Sequence, residues 1–534
     1  MNIKNGIVLI ICLASFGVAQ LEGQLLSLWP SLVALVSVIL LKSALGGLFL
    51  GAGSGVILME GGNPLHAVIS FFSKILIPAL SSEWNLSVLL FTLLLGGFAA
   101  LLEKGGGFDC ILQAWLRQGK NLSQKVQWSA FLMGVVCFFD GLASALLTGR
   151  ALRQMADRSG VSRAKLAYLV DSTGSAVACV AIMSTWIAYQ LSMIREGYLA
   201  AGIEGTEPFV LFLSSIPRNF YCWFTLVLVV ISIWKSLNLG PMRKMEKSAT
   251  DTQTKQGSTG TSLTDHQSIK GSLKVGIPLA TLICSLFAGL YFNGVQGEAW
   301  PLSLNKLQQA FGDAQSNLVL LYSSIFACAV AFVCNQKSLK SSGMRSSRVF
   351  ASGIGRFIPP SLVLIAAWCL SGTLRELEAA TFLSQTLSGT LPPFLFPASV
   401  FILGVLISFT TGTSWGTMGV LMPLVVPVCA SLAPGSDAMM ASAVAAVFSG
   451  AVFGDHCSPL SDTTIISSMA CEIKPYDHFR TQLPYALLTA TVALLAGFIP
   501  MGLGISPWIC LAVGTIILCL VPTIDKKSLS RYST

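Results

Sequence analysis

Apolar runs that approach or exceed 18 residues recur along the whole chain, with Lys and Arg gathered between them. A run of that length matches a helix across a hydrocarbon core about 30 Å thick. Only 11% of the residues are charged, less than half the usual soluble share, and the mean hydropathy is +0.72. The fold class is therefore an all-α polytopic membrane protein. The net charge of +9 is not a nucleic-acid signal, because the basic residues sit in loops between spans, where they set orientation. The 14 cysteines are scattered through apolar segments without a C-x-x-C pair and read as small buried hydrophobes. No phosphate-binding loop is present: Gly119-Lys120 lacks both the earlier Gly and the following Ser or Thr, so ATP is not the evident energy source. These features point to a secondary transporter rather than an enzyme, without a cofactor. The expected partners are the lipid bilayer, monovalent cations and, in one reading below, a small organic solute; a homodimer is open to such a chain.

Charge parity divides the sequence. Residues 1–28 form an N-terminal helix or signal-like segment, read as a retained helix. Residues 29–234 form a first membrane half, 235–274 a polar, disordered cytoplasmic linker, 275–525 a second membrane half, and 526–534 a cytoplasmic tail. Residues 128–150 are apolar, with Asp140-Gly141 at the middle and Arg or Lys on both flanks, including Arg150, Arg153, Arg158, Arg163 and Lys165 in the next loop. A single span cannot have both ends on the basic side, so this reads as a re-entrant hairpin with legs of about 11 residues, or about 16 Å. One plain span with an accidental charge pattern is the alternative. A broken helix over 166–193 follows, with Asp171-Ser172-Thr173 near its start. In the second half, residues 394–430 carry Thr410, Thr411, Gly412, Thr413 and Ser414 at their centre and have no basic flank. They read as a hairpin entering from the other side. A broken helix over 438–470 comes next. The same order with opposite entry is an inverted repeat, the transporter architecture that places a site between its halves.

The densest polar stretch lies in that last segment, at Gly454-Asp455-His456-Cys457-Ser458-Pro459-Leu460-Ser461-Asp462-Thr463-Thr464. A carboxylate at a bilayer centre costs about 2.5–3.5 kcal/mol. Gly454 and Pro459 are expected to break the helix and release backbone groups, which membrane depth tolerates only inside protein or beside a cavity. Na⁺ is a hard cation that takes oxygen ligands. The ion- or proton-binding candidates are Asp140, Asp171, Asp455 and Asp462, with Na⁺ as the metal they would hold. Ser172, Thr173, Thr410, Thr411, Thr413, Ser414, His456, Ser458, Thr463 and Thr464 are their supports. A buried Asp that holds either a proton or a cation, but not both, yields antiport once its access alternates. Asp140 and Asp171 have a structural alternative as ion pairs with Arg150 or Lys165, and His456 serves either as proton carrier or as hydrogen-bonded core.

These blocks resemble the NhaC-type sodium/proton antiporter family, within the wider ion transporter superfamily. The likeness rests on residues 138–149, on 162–186 with Lys165-Leu166-Ala167-Tyr168 and Asp171-Ser172-Thr173, and on 411–419 with 453–468. It implies Na⁺/H⁺ antiport, with Na⁺ and H⁺ as transported or coupling ions, in the plasma (inner) membrane of a prokaryote with the C-terminus cytoplasmic. Where the family commonly has Asp-Asp, this chain has Asp140-Gly141; Ser144 and Ala176 stand where Asn and Pro are usual. Some relatives carry organic acids or amino acids, so a Na⁺- or H⁺-coupled carrier of such a solute is the second reading. A third, an intramembrane aspartyl protease, requires two carboxylates sharing a proton. It is disfavoured because Val452 replaces the first Gly of Gly-x-Gly-Asp and Tyr485 interrupts the Pro-Ala-Leu sequence.

Overall fold

The computed structural model describes residues 3–21, 23–116, 121–256, 271–297, 299–300, 303–387 and 390–532. Among them every regular element is a helix. Ten helices are long and apolar enough to cross a membrane, and two further pairs qualify when each bent pair is taken as one span. Burial sorts them. The helix Asp437–Cys457 is 83% enclosed by protein, whereas Leu273–Gly294 and Ser316–Ser341 are each 39% enclosed and Pro64–Ser81 only 17%. Lipid accepts apolar side chains at no cost, so the apolar helices take the rim, and the helix that carries carboxylate and imidazole is drawn to the interior.

The first helix, Ile3–Val18, packs on Ala44–Met59, and the Trp29 indole donates to Ser15 Oγ at 3.1 Å. The long apolar run after residue 28 is divided where the sequence places Lys42-Ser43. Lys42 ends Trp29–Leu41 in the left-handed conformation, and Ser43 caps Ala44–Met59.

The first hairpin consists of α1 (Leu122–Val136) and α2 (Gly141–Ser159), joined by a turn that ends at Asp140. It is longer than the expected 128–150. Arg150, Arg153 and Arg158 lie on α2 rather than in a loop, because the helix stops only at Gly160, with φ 71°. The first broken helix consists of α3 (Arg163–Val180) and α4 (Thr185–Ala200), bent by 48°. Its break falls at 181–184, so Asp171, Ser172 and Thr173 sit within unbroken helix instead of beside freed backbone. A span ending in α5 (Phe220–Trp234) follows. The segment expected to be disordered then opens with a helix, α6 (Met242–Gln256), anchored by buried Leu237 and Met242; residues 257–270 lie outside the described residues.

The second hairpin, α7 (Phe396–Thr411) and α8 (Ser414–Leu432), turns at Gly412-Thr413 as expected. The second broken helix is α9 (Asp437–Cys457) and α10 (Asp462–Cys471), followed by α11 (Pro475–Val492). Gly454 does not break α9, which continues to Cys457; the break is at Ser458-Pro459-Leu460-Ser461. Gly454 serves close packing instead, since a Cβ there would stand 2.4 Å from the Ser408 carbonyl oxygen of α7. The two halves thus repeat hairpin, broken helix and span. In each half the hairpin tip docks on the break: Thr185 N–H donates to Phe139 O at 2.9 Å, and Gly412 lies against Leu460 and Ser458.

Candidate ion-binding site

Asp455 occupies the last turn of α9, where carbonyl groups run out of helical partners. The N-terminal hydroxyls of α10 fill that need: Thr463 Oγ1 and Thr464 Oγ1 donate to the Asp455 main-chain oxygen at 3.0 and 2.8 Å. The side chain is treated differently. It is 2% exposed, Oδ1 receives a long bond from Ser461 Oγ at 3.4 Å, and Oδ2 has no partner within hydrogen-bond geometry. Ser414, the first residue of α8, also faces this carboxylate.

Asp171 of α3 is electrostatically coupled to Asp455, yet it is fully provided with donors. Ser467 Oγ of α10 donates to Oδ1 at 3.2 Å. Oδ2 takes His478 Nε2 at 3.2 Å and Gln482 Nε2 at 3.0 Å, both from α11. His478 is 0% and Asp171 1% exposed. A first-half carboxylate is therefore bonded entirely by second-half helices. Neither Asp140 nor Asp171 forms the ion pair with Arg150 or Lys165 that the sequence left open.

His456 follows Asp455. Its Nδ1 lies 2.9 Å from the Tyr221 hydroxyl, and its Nε2 is buried without a hydrogen bond. A cavity of about 10 Å³ lies between α3, α5, α9 and α11, lined by Tyr168, Ser172, Tyr221, His456, Gln482 and Tyr485 among others. That is about the room one water requires.

The other expected residues are placed elsewhere. Asp140 is the N-cap of α2, with Oδ1 accepting from Leu142 N and Ala143 N at 3.0 and 3.4 Å. Its charged neighbours are Arg356 and Glu103, which pair with each other at 2.6 Å. Asp462 is exposed in the first turn of α10. Thr410 is exposed and bonds back to Leu406 O and Ile407 O. Thr411 bonds Ile407 O at 2.7 Å, and Thr413 caps α8 through Gly416 N at 3.1 Å. Thr173 bonds Leu169 O at 2.6 Å and packs on Gly134. Ser458 Oγ accepts from Leu460 N at 3.3 Å within the break. These five residues shape the backbone around the site rather than line it. Among the described residues, no three His, Cys, Asp or Glu side chains gather as a metal cluster, so a cation here would depend on hydroxyls and single carboxylates.

A family model, the Na⁺/H⁺ antiporter family, matches this chain over residues 177–503, a stretch that holds the second hairpin, the second broken helix and Asp455. The chain belongs to the Na⁺/H⁺ antiporter family. It is accordingly a multi-pass secondary transporter rather than an enzyme, and membership implies monovalent cations as substrates. An uncharacterized protein of Haemophilus influenzae is 28% identical over 92% of this chain and 94% of its own. The Na⁺/H⁺ antiporter NhaC of Alkalihalophilus pseudofirmus is 33% identical, over 25% of this chain and 28% of its own. The malate-2H⁺/Na⁺-lactate antiporter of Bacillus subtilis is 29% identical, over 27% and 31%. The chain thus spans under a third of each of these two named antiporters. Among solved structures, the Alcanivorax borkumensis YdaH transporter matches with a TM-score of 0.59 at 14% identity, over 91% of this chain and 99% of that one. The Neisseria gonorrhoeae MtrF efflux pump matches with a TM-score of 0.56 at 12% identity, over 87% and 85%. At such identities these two show the fold alone.

In this antiporter, sequence reasoning missed Ser461, Ser467, His478, Gln482 and Tyr221. Two of the signals were in the chain: His478 and Gln482 recur at helical spacing with Tyr485 and lay one polar face along α11.

Proposed function

We propose that the chain exchanges Na⁺ for H⁺, with Asp455 as the exchanging carboxylate and Asp171 as a fixed neighbour. The observation that carries this is the contrast between them: Asp455 Oδ2 is buried without a partner, while Asp171 has three donors. A buried carboxylate oxygen left unbonded is costly, by about 1–3 kcal/mol or more for a charged group. A proton or a cation at that oxygen removes the cost. Ser461 and Ser414 supply further oxygens of the kind Na⁺ takes. One carboxylate does not hold both cargoes at once, so alternating access through the paired hairpins couples the two flows in opposite directions. By the positive-inside rule, the face carrying Arg153 and Arg163 is cytoplasmic, in a prokaryotic plasma membrane, and the basic C-terminal sequence with Lys526 and Lys527 is assigned to the same side.

The second reading is exchange of a small carboxylic acid, suggested by the name of the Bacillus subtilis relative. The cation reading is preferred because the groups at Asp455 are hydroxyl and carboxylate oxygens, the ligands a hard cation takes. The test is the pure protein in liposomes with an internal pH dye, given Na⁺, Li⁺, K⁺ and then carboxylates and amino acids. Na⁺ alone moves protons in wild type and not in Asp455→Asn. Proton movement that requires an organic solute would overturn the cation reading.

A further inference from the structure

Lys165 is 1% exposed, and neither the fold nor the exchange at Asp455 accounts for it. Its ammonium donates to Leu237 O at 2.9 Å and to Asn238 Oδ1 at 3.1 Å. It also lies 5.5 and 5.6 Å from the ring centroids of Tyr168 and Tyr485, which themselves pack at 4.2 Å. Lys165 belongs to no ion pair among the described residues; the charge it feels is Glu246, whose Oε1 accepts from Ser162 N at 2.7 Å. Burying a cation among neutral oxygens costs several kcal/mol, and an apolar side chain of similar volume would fill the space more cheaply. The cage therefore has its use in what it joins.

It joins three pieces. Lys165 and Tyr168 belong to α3. Leu237 and Asn238 open the segment between the halves. Tyr485 belongs to α11, and its hydroxyl accepts from Leu239 N at 2.9 Å and donates to Leu237 O at 3.2 Å. Two turns along the same pair of helices stand Asp171, His478 and Gln482. The α3–α11 contact is thus a ladder with two polar rungs, and the Lys165 rung is pinned to the inter-half segment.

We propose that Lys165 is a positioning residue for transport: by tying residues 237–239 to α3 and α11, it keeps the Asp171 rung assembled, so that α3 and α11 move as one body when access alternates and transport slows when the tie is lost. The transport arm of this proposal rests on the Na⁺/H⁺ reading; the structural arm does not. Lys165→Met removes both hydrogen bonds and keeps most of the volume. In liposomes, its Na⁺-driven proton flux is expected to fall about tenfold per Na⁺ site, sites being counted by equilibrium ²²Na⁺ binding, while KM for Na⁺ stays within about twofold. A merely structural role lowers the number of sites and leaves turnover per site unchanged. In parallel, amide hydrogen exchange is expected to quicken about tenfold in residues 163–172 and 475–486, and not in Ser316–Ser341. Unchanged turnover per site, or a raised KM with unchanged kcat, would overturn the proposal. If Lys165→Met binds no Na⁺, Asn238→Ala and Tyr485→Phe each remove one arm of the cage. The same local loosening at smaller amplitude is then expected, and wild-type exchange in both overturns the idea. If wild type itself moves no protons with Na⁺, the function reading fails while hydrogen exchange still decides the ladder.

Discussion

The two halves of this antiporter share an order of elements, hairpin, broken helix and span, and use it differently. In the first, the hairpin tip spends its carboxylate on its own helix, where Asp140 caps α2. The break beside it, at 181–184, is bonded by neutral groups: Ser184 Oγ donates to Ala178 O at 2.8 Å and accepts from Trp186 N at 3.2 Å, and Gln190 Nε2 donates to Cys179 O at 3.0 Å. In the second, a threonine caps the helix after the tip, and the break gathers Ser461, Thr463 and Thr464 around Asp455. Of the two carboxylates of the pair, only Asp455, on the second-half side, has a buried oxygen without a hydrogen bond. The contribution of the first half to the site is Asp171, and the second half holds it fast.

The sharpest way to break that contrast is at the two carboxylates of the pair. Asp455→Asn is expected to reduce Na⁺-driven proton flux to the level of protein-free liposomes, with the folded protein retained, because an amide fits a site that already lacks a strong bond. Dye-reported exchange beside thermal unfolding in detergent checks both halves of this statement. Asp171→Asn is expected to behave in the opposite way. It leaves the donors of Ser467, His478 and Gln482 facing one oxygen and one NH₂ group. Hydrogen bonds to charged groups are worth about 1.5–3 kcal/mol each, so a loss on the order of 3 kcal/mol is expected, read as a lowered Tm. If Asp171→Asn keeps its Tm and Asp455→Asn loses it, the roles assigned to the pair are reversed.

Asp455 was legible in the sequence because two carboxylates and an imidazole inside an apolar run have no cheap explanation, and Pro459 marks the break. Partners far along the chain were not legible. Ser467, His478 and Gln482 meet Asp171 across 296 to 311 residues, and such pairings are set by how α3, α10 and α11 pack, not by local pattern. The helix ends of the first hairpin, Leu122–Val136 and Gly141–Ser159, lie beyond the expected 128–150. Arginine tolerates the last turns of a helix as well as a loop, since its long stem reaches water from either, so Arg150, Arg153 and Arg158 marked a side rather than a boundary. Asp140 has a local role that the sequence also signalled. An Asp directly before a helix is a strong N-cap, and that signal was in the sequence at Asp140-Gly141-Leu142-Ala143.

A smaller effect therefore tests the first-half tip. Asn caps a helix about as well as Asp, so Asp140→Asn is expected to keep exchange within about twofold, while Asp140→Ala lowers stability by about 1 kcal/mol. Loss of exchange in Asp140→Asn with an unchanged Tm would return the first tip to the ion path and make the two halves chemically alike.

The smallest effect is expected at Asp462, which separates position in a motif from position in the site. It lies in the polar block with Asp455, seven residues on, but its side chain is exposed at the start of α10. There a negative charge complements the helix dipole, worth about 0.3–1 kcal/mol and weakened by salt. Asp462→Asn is thus expected to lower Tm slightly at low ionic strength, less so in high salt, with exchange within about twofold of wild type. The salt titration is decisive. A dipole contribution fades as ions screen it, whereas a cation ligand would reveal itself as a raised KM for Na⁺ at every ionic strength, and would extend the exchanging site across the break from α9 into α10.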